Sequence, residues 1–143
     1  MVTEEIQEYK RRENALILAH YYVPDEVQAL ADFVGDSYYL AKVAAKAKKR
    51  TVVFCGVRFM GESAKILNPE SRVLLPAAEA DCPMAHMASA AQIAELRANV
   101  RDLAVVCYVN SDASLKALSD VCVTSSNAVK IVSALPNRNI LFI

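Results

Sequence analysis

The stretch ADCPMAH contains the first residues in this sequence that suggest chemistry, because it places a thiol and an imidazole four residues apart. Cys82 is followed by Pro83, and His86 completes the spacing. Thiolate and imidazole are ligands that soft metal ions prefer. A lone Cys-Pro pair is also typical of a simple turn, and a histidine in this position is typical of a helix start or a surface. The spacing alone leaves Cys82 open between a ligand and a turn residue, and it favours a surface role for His86.

Polar residues also lie at the carboxyl ends of two apolar segments of strand length, ALILAHYY and LAVVCYVN. His20 and Tyr108 could exchange protons, Tyr22 could orient or protonate a substrate, and Asn110 could hold a carbonyl or carboxylate. The structural alternative is a hydrogen-bonded core histidine with tyrosines that only pack. Taken together, these residue types favour acid–base work on a small polyanionic molecule.

Two serines precede predicted helices and are candidates for binding the anionic groups of such a molecule. Ser37 begins SYYLAKV, and Ser125 lies in TSSNAVK. A helix N-terminus offers free backbone N–H groups and a positive dipole end, which suits carboxylate or phosphate. Both serines are equally good helix N-caps without any ligand.

The order of predicted elements is that of an α/β fold with a mostly parallel sheet and right-handed crossovers. The predicted strands are 15–22, 51–57, 72–76, 103–110 and 139–143, with an extended segment at 120–125. The predicted helices are 5–14, 24–33, 37–50, 60–69, 88–99, 113–118 and 127–135. A natural domain seldom ends in a buried strand without a covering helix, so we expect this chain to be the front part of a longer protein.

An internal repeat connects the two halves, because residues 15–55 align without a gap on residues 103–143 at an offset of 88. In this alignment His20 falls on Tyr108, and Ser37 falls on Ser125. In open α/β sheets such positions, at strand ends and helix starts, face a ligand.

The same register sorts the four cysteines. Cys55, Cys107 and Cys122 align with plain apolar residues, so we interpret them as small core residues. Cys82 lies outside the aligned windows, and its repeat counterpart would lie beyond the last residue.

Composition limits the classes of function. The 143 residues are 55% hydrophobic, and 16 basic residues balance 16 acidic ones at an estimated pI near 6.7. No basic field is therefore present to attract nucleic acid or an anionic membrane. No apolar run approaches the roughly 20 residues of a membrane span, and the acidic N-terminus lacks a signal-peptide core. We expect a cytoplasmic protein with reduced thiols that acts on small molecules.

Six strings in order make this sequence similar to the quinolinate synthases of NAD biosynthesis. They are LAHYY, ADFVGDS, FMGESAKILNP, DCPMA, CYVNS and SDVCVTSSNA. The resemblance implies repeated three-layer αβα units with mostly parallel sheets, arranged as three units about a pseudo-threefold axis with the active site in the centre. Residues 1–87 would form the first unit and 88–143 an incomplete second unit. The third unit would be absent, since this chain would be the N-terminal portion of the family chain.

The resemblance also implies the reaction and its cofactor. Family enzymes condense iminosuccinate (iminoaspartate) with dihydroxyacetone phosphate to quinolinate and release phosphate and water. Each unit contributes one cysteine to a [4Fe-4S] cluster, whose fourth iron stays open as a Lewis acid. By motif position Cys82, in the first unit, is the first of these ligands and the only one in this chain.

Site residues follow from the same motif positions. The residues that match iminosuccinate-binding positions are His20, Ser37, Tyr108, Val109, Asn110 and Ser125. Tyr22 matches a tyrosine of the acid–base steps, in which His20 and Tyr108 would also move protons. The upstream partner would be L-aspartate oxidase or aspartate dehydrogenase.

One thiolate cannot hold a cubane, so we predict that these 143 residues alone neither bind a stable cluster nor make quinolinate. Two other interpretations remain. One is a non-catalytic αβ module that binds a small molecule, although no GxGxxG or GxxxxGK[ST] follows any predicted strand. The other is a truncated, inactive remnant.

Overall fold

The computed structural model describes residues 2–48 and 51–143, and contacts divide the chain into two compact units between Asp81 and Cys82. Each unit has one parallel sheet with helices between its strands, so the predicted α/β class is confirmed. The division falls a few residues before the boundary predicted at residue 87. It groups Cys82 with the second unit.

The first unit is built on a four-stranded parallel sheet in the order β2-β1-β3-β4. Its strands are β1 (Ala15–His20), β2 (Phe33–Gly35), β3 (Thr51–Cys55) and β4 (Arg72–Leu74), and its helices are α1 (Val2–Arg12), α2 (Asp25–Gln28), α3 (Ser37–Lys46) and α4 (Arg58–Leu67). All six residues of β1 are buried. A strand with neighbours on both sides and covered faces reads as an unbroken apolar run, which explains the sequence of β1.

The second unit has a three-stranded parallel sheet in the order β6-β5-β7. Its elements are a 3-10 helix (Pro83–His86), α5 (Ala90–Asn99), β5 (Leu103–Tyr108), α6 (Ala113–Ala117), β6 (Val121–Val123), α7 (Ala128–Ala134) and β7 (Asn139–Phe142). Its core joins Ile93 of α5, Val105 and Cys107 of β5, and Leu115 of α6. None of the helices in the described part of the chain has the length and apolar character that a membrane crossing requires.

Strand pairing repeats between the units at the offset seen in the sequence. Leu18 pairs with Phe33 and Ala15 with Thr51 in the first unit, and Val106 pairs with Val121 and Leu103 with Asn139 in the second. Each second-unit residue lies 88 positions after its counterpart. The internal repeat is therefore confirmed at the level of register. It also places the ends of β1 and β5 at equivalent positions.

One aspartate in each unit clasps the central strand to the segment that enters its neighbour. The backbone N–H of Asp32 donates to the Ile17 carbonyl at 2.8 Å, and the Asp32 carboxylate accepts the Ile17 N–H at 2.9 Å. Asp120 makes the same two bonds to Val105, at 2.9 and 2.7 Å. A cation from the preceding helix completes each aspartate clasp, Lys10 in the first unit and Arg97 in the second.

Some predicted boundaries were wrong. The short helix predicted to run through Phe33 ends at Gln28, and residues 33–35 form β2 instead. The prediction missed β2 because three residues are too few to show a period, although its repeat counterpart was already predicted as extended. The helix predicted to begin at Ser37 ends at Lys46, and its last two predicted residues, Lys49 and Arg50, lie outside the described residues.

The cysteines divide differently from the prediction. Cys107 is fully buried, which confirms its core assignment, and Cys55 is half-buried. Cys122 is exposed, so its core assignment is wrong. It lies on the edge strand β6, where successive side chains face opposite sides and Val123 takes the buried one.

Candidate functional site

His20 lies at the carboxyl end of β1, the sheet edge at which open α/β folds place ligands. Its side chain is buried, and Nδ1 accepts the backbone N–H of Tyr22 at 3.3 Å. An Nδ1 that accepts a hydrogen bond leaves the ring proton on Nε2. Burial lowers the pKa of His20, and the nearby Asp36 carboxylate only partly offsets this. The ring is therefore a neutral imidazole with an Nε2–H donor.

Two tyrosines pack against this imidazole. The Tyr21 ring stacks on His20 with centroids 4.5 Å apart, and Tyr22 meets it edge-on at 4.7 Å. The pKa of Tyr21 is raised, first by a hydrogen bond with the Tyr22 side chain. Tyr22 is 82% exposed. Its phenol is thus accessible from solvent, and its backbone N–H fixes the tautomer of the His20 ring.

The start of α3 lies at the same sheet edge, because Gly35 pairs with His20 in register. The helix begins at Ser37 as predicted, and the alternative role of Ser37 as its N-cap is excluded. Asp36 is the cap, and its Oδ1 accepts the Tyr39 N–H at 2.7 Å, since a carboxylate binds the helix end more strongly than a hydroxyl. Ser37 is the first helical residue and follows this cap directly.

The second unit brings two predicted site residues into direct contact. Tyr108 ends β5 as His20 ends β1, and its hydroxyl is 2.7 Å from the Ser125 hydroxyl. The alternative role of Ser125 as a helix N-cap is also excluded, because α7 begins three residues later with Asn127 at its N-cap position. The Asn127 side chain instead accepts the Thr124 N–H at 2.7 Å and shapes the turn that carries Ser125.

Val109 and Asn110 continue from β5 into the loop before α6. The Val109 N–H donates to the Val123 carbonyl at 2.9 Å, which extends the β5–β6 ladder by one bond. Both residues are half-buried, and Ser111 behind them is buried. The segment that follows Tyr108 is therefore well fixed.

Cys82 is half-buried and extended, immediately before the 3-10 helix. Its carbonyl accepts the Ala85 N–H at 2.9 Å, which closes the Cys-Pro turn. Among the described residues no group of three or more His, Cys, Asp or Glu side chains could hold a metal ion. The ligand role of Cys82 stays a prediction.

A contact between a histidine and an aspartate beside this turn was missed from the sequence. His86 Nδ1 lies 2.9 Å from Asp112 Oδ2. His86 was expected to be a surface residue, and its side chain is indeed 42% exposed. No local pattern connects the two residues, because their contact depends on how the loop after β5 returns to the Cys-Pro turn.

Comparison with known proteins agrees with the motifs. The family model described as "Quinolinate synthetase A protein" matches residues 4–143. Proteins named "Quinolinate synthase" are 56% identical over 98% of this chain in Fusobacterium nucleatum, 54% over 100% in Caldicellulosiruptor bescii and 52% over 99% in Clostridioides difficile. The match spans 47% of each relative, so the chain covers about half their length. The chain belongs to the quinolinate synthase family.

Proposed function

We propose that this chain is part of a quinolinate synthase, which condenses iminosuccinate with dihydroxyacetone phosphate to quinolinate in de novo NAD biosynthesis and releases phosphate and water. The family match over residues 4–143 is the observation that carries this proposal. A second support is the position of His20 and Tyr108, which end the central strand of their units at the edge where α/β sheets bind ligands.

In the first unit, His20 and Tyr22 supply the proton donors. The Nε2–H of neutral His20 donates to an oxygen of iminosuccinate, and the lowered pKa keeps the ring in this neutral form. Tyr22 exchanges protons with the substrate through its accessible phenol. Ser37 is the first residue of α3, and its hydroxyl would bind a carboxylate of the substrate.

In the second unit, the Tyr108–Ser125 pair binds a substrate carboxylate. One hydroxyl donates to the other across 2.7 Å, which leaves the second hydrogen to donate to the ligand. Asn110 adds an amide donor. The Val109 N–H is already bound to Val123, so Val109 contributes through its carbonyl or its side chain.

Cys82 would be the ligand to one iron of a [4Fe-4S] cluster, and that group supplies Lewis-acid polarisation of a departing oxygen. By the family resemblance, the other cluster cysteines would belong to residues that this chain does not contain. We infer that the 143-residue chain alone neither holds a stable cluster nor makes quinolinate. Stoichiometric iron and sulfide in the purified chain would contradict this.

The wider setting is proposed on the same basis. L-aspartate oxidase or aspartate dehydrogenase would supply iminosuccinate, and the reaction would run in the cytoplasm. The competing functions are a non-catalytic small-molecule-binding module and an inactive remnant. Quinolinate formation by the complete protein excludes both, whereas iminosuccinate binding without turnover would favour the binding module.

The test compares two half-buried cysteines in the complete protein under anaerobic conditions. Cys82→Ser should lose the cluster absorbance, iron and quinolinate formation, because serine is a poor ligand for this iron. Cys55→Ser is the matched control, since Cys55 lies in β3 and burial raises its thiol pKa. It should keep the cluster. Retention of the cluster in Cys82→Ser would refute the assignment.

A further inference from the structure

The His86–Asp112 pair connects two segments of the second unit that carry different site residues. His86 ends the 3-10 helix that starts directly after Cys82. Asp112 follows Asn110 by two residues in the loop after β5. The 2.9 Å contact between Nδ1 and Oδ2 therefore joins the thiol segment to the substrate-binding segment.

Asp112 does not make the helix-capping hydrogen bond that its position in the fold would suggest. It occupies the N-cap of α6, where an aspartate normally accepts a backbone N–H of the first turn, yet its side chain makes no capping bond. Its Oδ1 is buried and accepts no hydrogen bond from the described part of the chain. A buried carboxylate oxygen without a partner is costly, so the contact with His86 must hold the side chain in this orientation.

Backbone and apolar contacts anchor one side of the turn that begins at Cys82. Ala85 is buried, and its N–H binds the Cys82 carbonyl. Ala88 packs against the core formed around Val105 and Cys107. These contacts fix the back of the turn, and the polar pair fixes its other side against the loop after β5.

We propose that His86 and Asp112 are positioning residues that hold the Cys82 turn in register with the loop carrying Val109 and Asn110. The proposal rests on the proposed function only in taking Cys82 as the ligand thiol. The contact itself exists without any cluster, so it can be tested on the reduced chain. A failure of the proposed chemistry would leave that test unaffected.

The experiment measures alkylation of each cysteine in the whole, reduced chain by iodoacetamide, with peptide mass mapping to separate the four thiols. His86→Ala and Asp112→Ala should each accelerate alkylation of Cys82 about fivefold, as expected for loss of a partly exposed charged hydrogen bond. The double variant should show no further increase, because both changes remove one contact. His86→Asn should restore the slow rate, since its Nδ2 can take the place of Nδ1.

Two controls separate positioning from general loss of structure. Cys107, in the core of the same unit, should keep its wild-type alkylation rate in every variant. Met87→Ala changes the next residue, which is 80% exposed, and should leave Cys82 unchanged. The proposal is overturned if Cys82 reacts at the wild-type rate in His86→Ala, or if Cys82 and Cys107 accelerate together.

Discussion

Replacing Asp120 by alanine should loosen the centre of the second sheet, because it removes the carboxylate of that aspartate clasp. Val105 lies one residue before the β5–β6 ladder begins at Val106, and the carboxylate takes the place of the missing strand bond at 2.7 Å. Val105 is fully buried. Without Asp120, the Val105 N–H loses this acceptor, and water cannot easily replace the carboxylate at this buried position.

The magnitude follows from the two bonds that the carboxylate makes. An unsatisfied buried N–H costs about 1–3 kcal/mol. The bond to Arg97, between partly exposed groups, adds at most about 1 kcal/mol. We therefore expect Asp120→Ala to cost about 2 kcal/mol locally, which is about a 30-fold faster exchange of the Val105 amide hydrogen.

Native-state hydrogen exchange by NMR reads this amide directly, so unfolding of the rest of the chain does not obscure it. Arg97→Ala is the control, because it removes the cation and keeps the carboxylate. It should accelerate exchange less than about fivefold. If Arg97→Ala accelerated the Val105 amide as much as Asp120→Ala, the ion pair and not the backbone bond would dominate, and the reasoning would be wrong.

The effect should also depend on pH. The pKa of Asp120 is lowered, mainly by the hydrogen bond from Val105 and further by Arg97. A lowered carboxyl pKa contributes stability above the unfolded value of about 3.9, and this stability is lost as the pH falls through the folded value. The difference between wild type and Asp120→Ala should therefore shrink in acid.

Three further predictions concern the strand ends. Gly35→Ala should lower the free energy of unfolding by about 1–3 kcal/mol in urea, because a Cβ there would overlap the Tyr39 ring. Burial lowers the pKa of His20 in the folded state. The stability that the neutral ring contributes is therefore complete above the unfolded pKa of about 6.5 and is lost as the pH falls through the folded pKa. His20→Gln should flatten that part of the stability–pH profile. Under the proposed function, Tyr108→Phe should cut quinolinate formation by the complete enzyme about 100-fold or more. The urea midpoint should stay nearly unchanged, since the hydroxyl that is removed contacts the exposed hydroxyl of Ser125.

Each of these three variants has a control or an outcome that would contradict its prediction. Gly56→Ala should cost less than Gly35→Ala, because its nearest neighbour is the flexible Met60 side chain at 3.1 Å. An equal loss in both would contradict the steric argument. An unchanged pH profile in His20→Gln would show that another group titrates, and full activity in Tyr108→Phe would remove Tyr108 from the proton-transfer steps.

The sequence predicted the fold class and the repeat well, because both depend on long apolar runs and on spacing. The unbroken run of β1 was recognisable since its strand is central and covered. Short edge strands such as β2 carry too few residues for a period, and they form only because a central strand is available to pair with. The sequence did not single out the residues at the helix starts: Asp36 caps α3 with its carboxylate, and Asn127 occupies the N-cap position of α7 without a side-chain capping bond.

The site was predictable only as a set of residues, not as contacts. Motif positions singled out His20 and Tyr108, and the structure adds the Nδ1 bond and the hydroxyl pair that determine how protons are held. The role of Cys82 as a ligand stays a prediction. The contact of Asp112 with His86 had no signal in the sequence, because a contact between distant loops depends on tertiary structure.

The shared strand register has a consequence for how such a protein can change. Both units keep an aspartate clasp and the same pairing partners, yet one central strand ends in an imidazole and the other in a phenol. The residues that specify the scaffold are thus separate from those that specify reactivity. A duplicated unit of this kind can acquire a new acid, base or ligand at its strand end while its strand pairing stays the same. Its two copies can therefore diverge to supply different groups to one reaction.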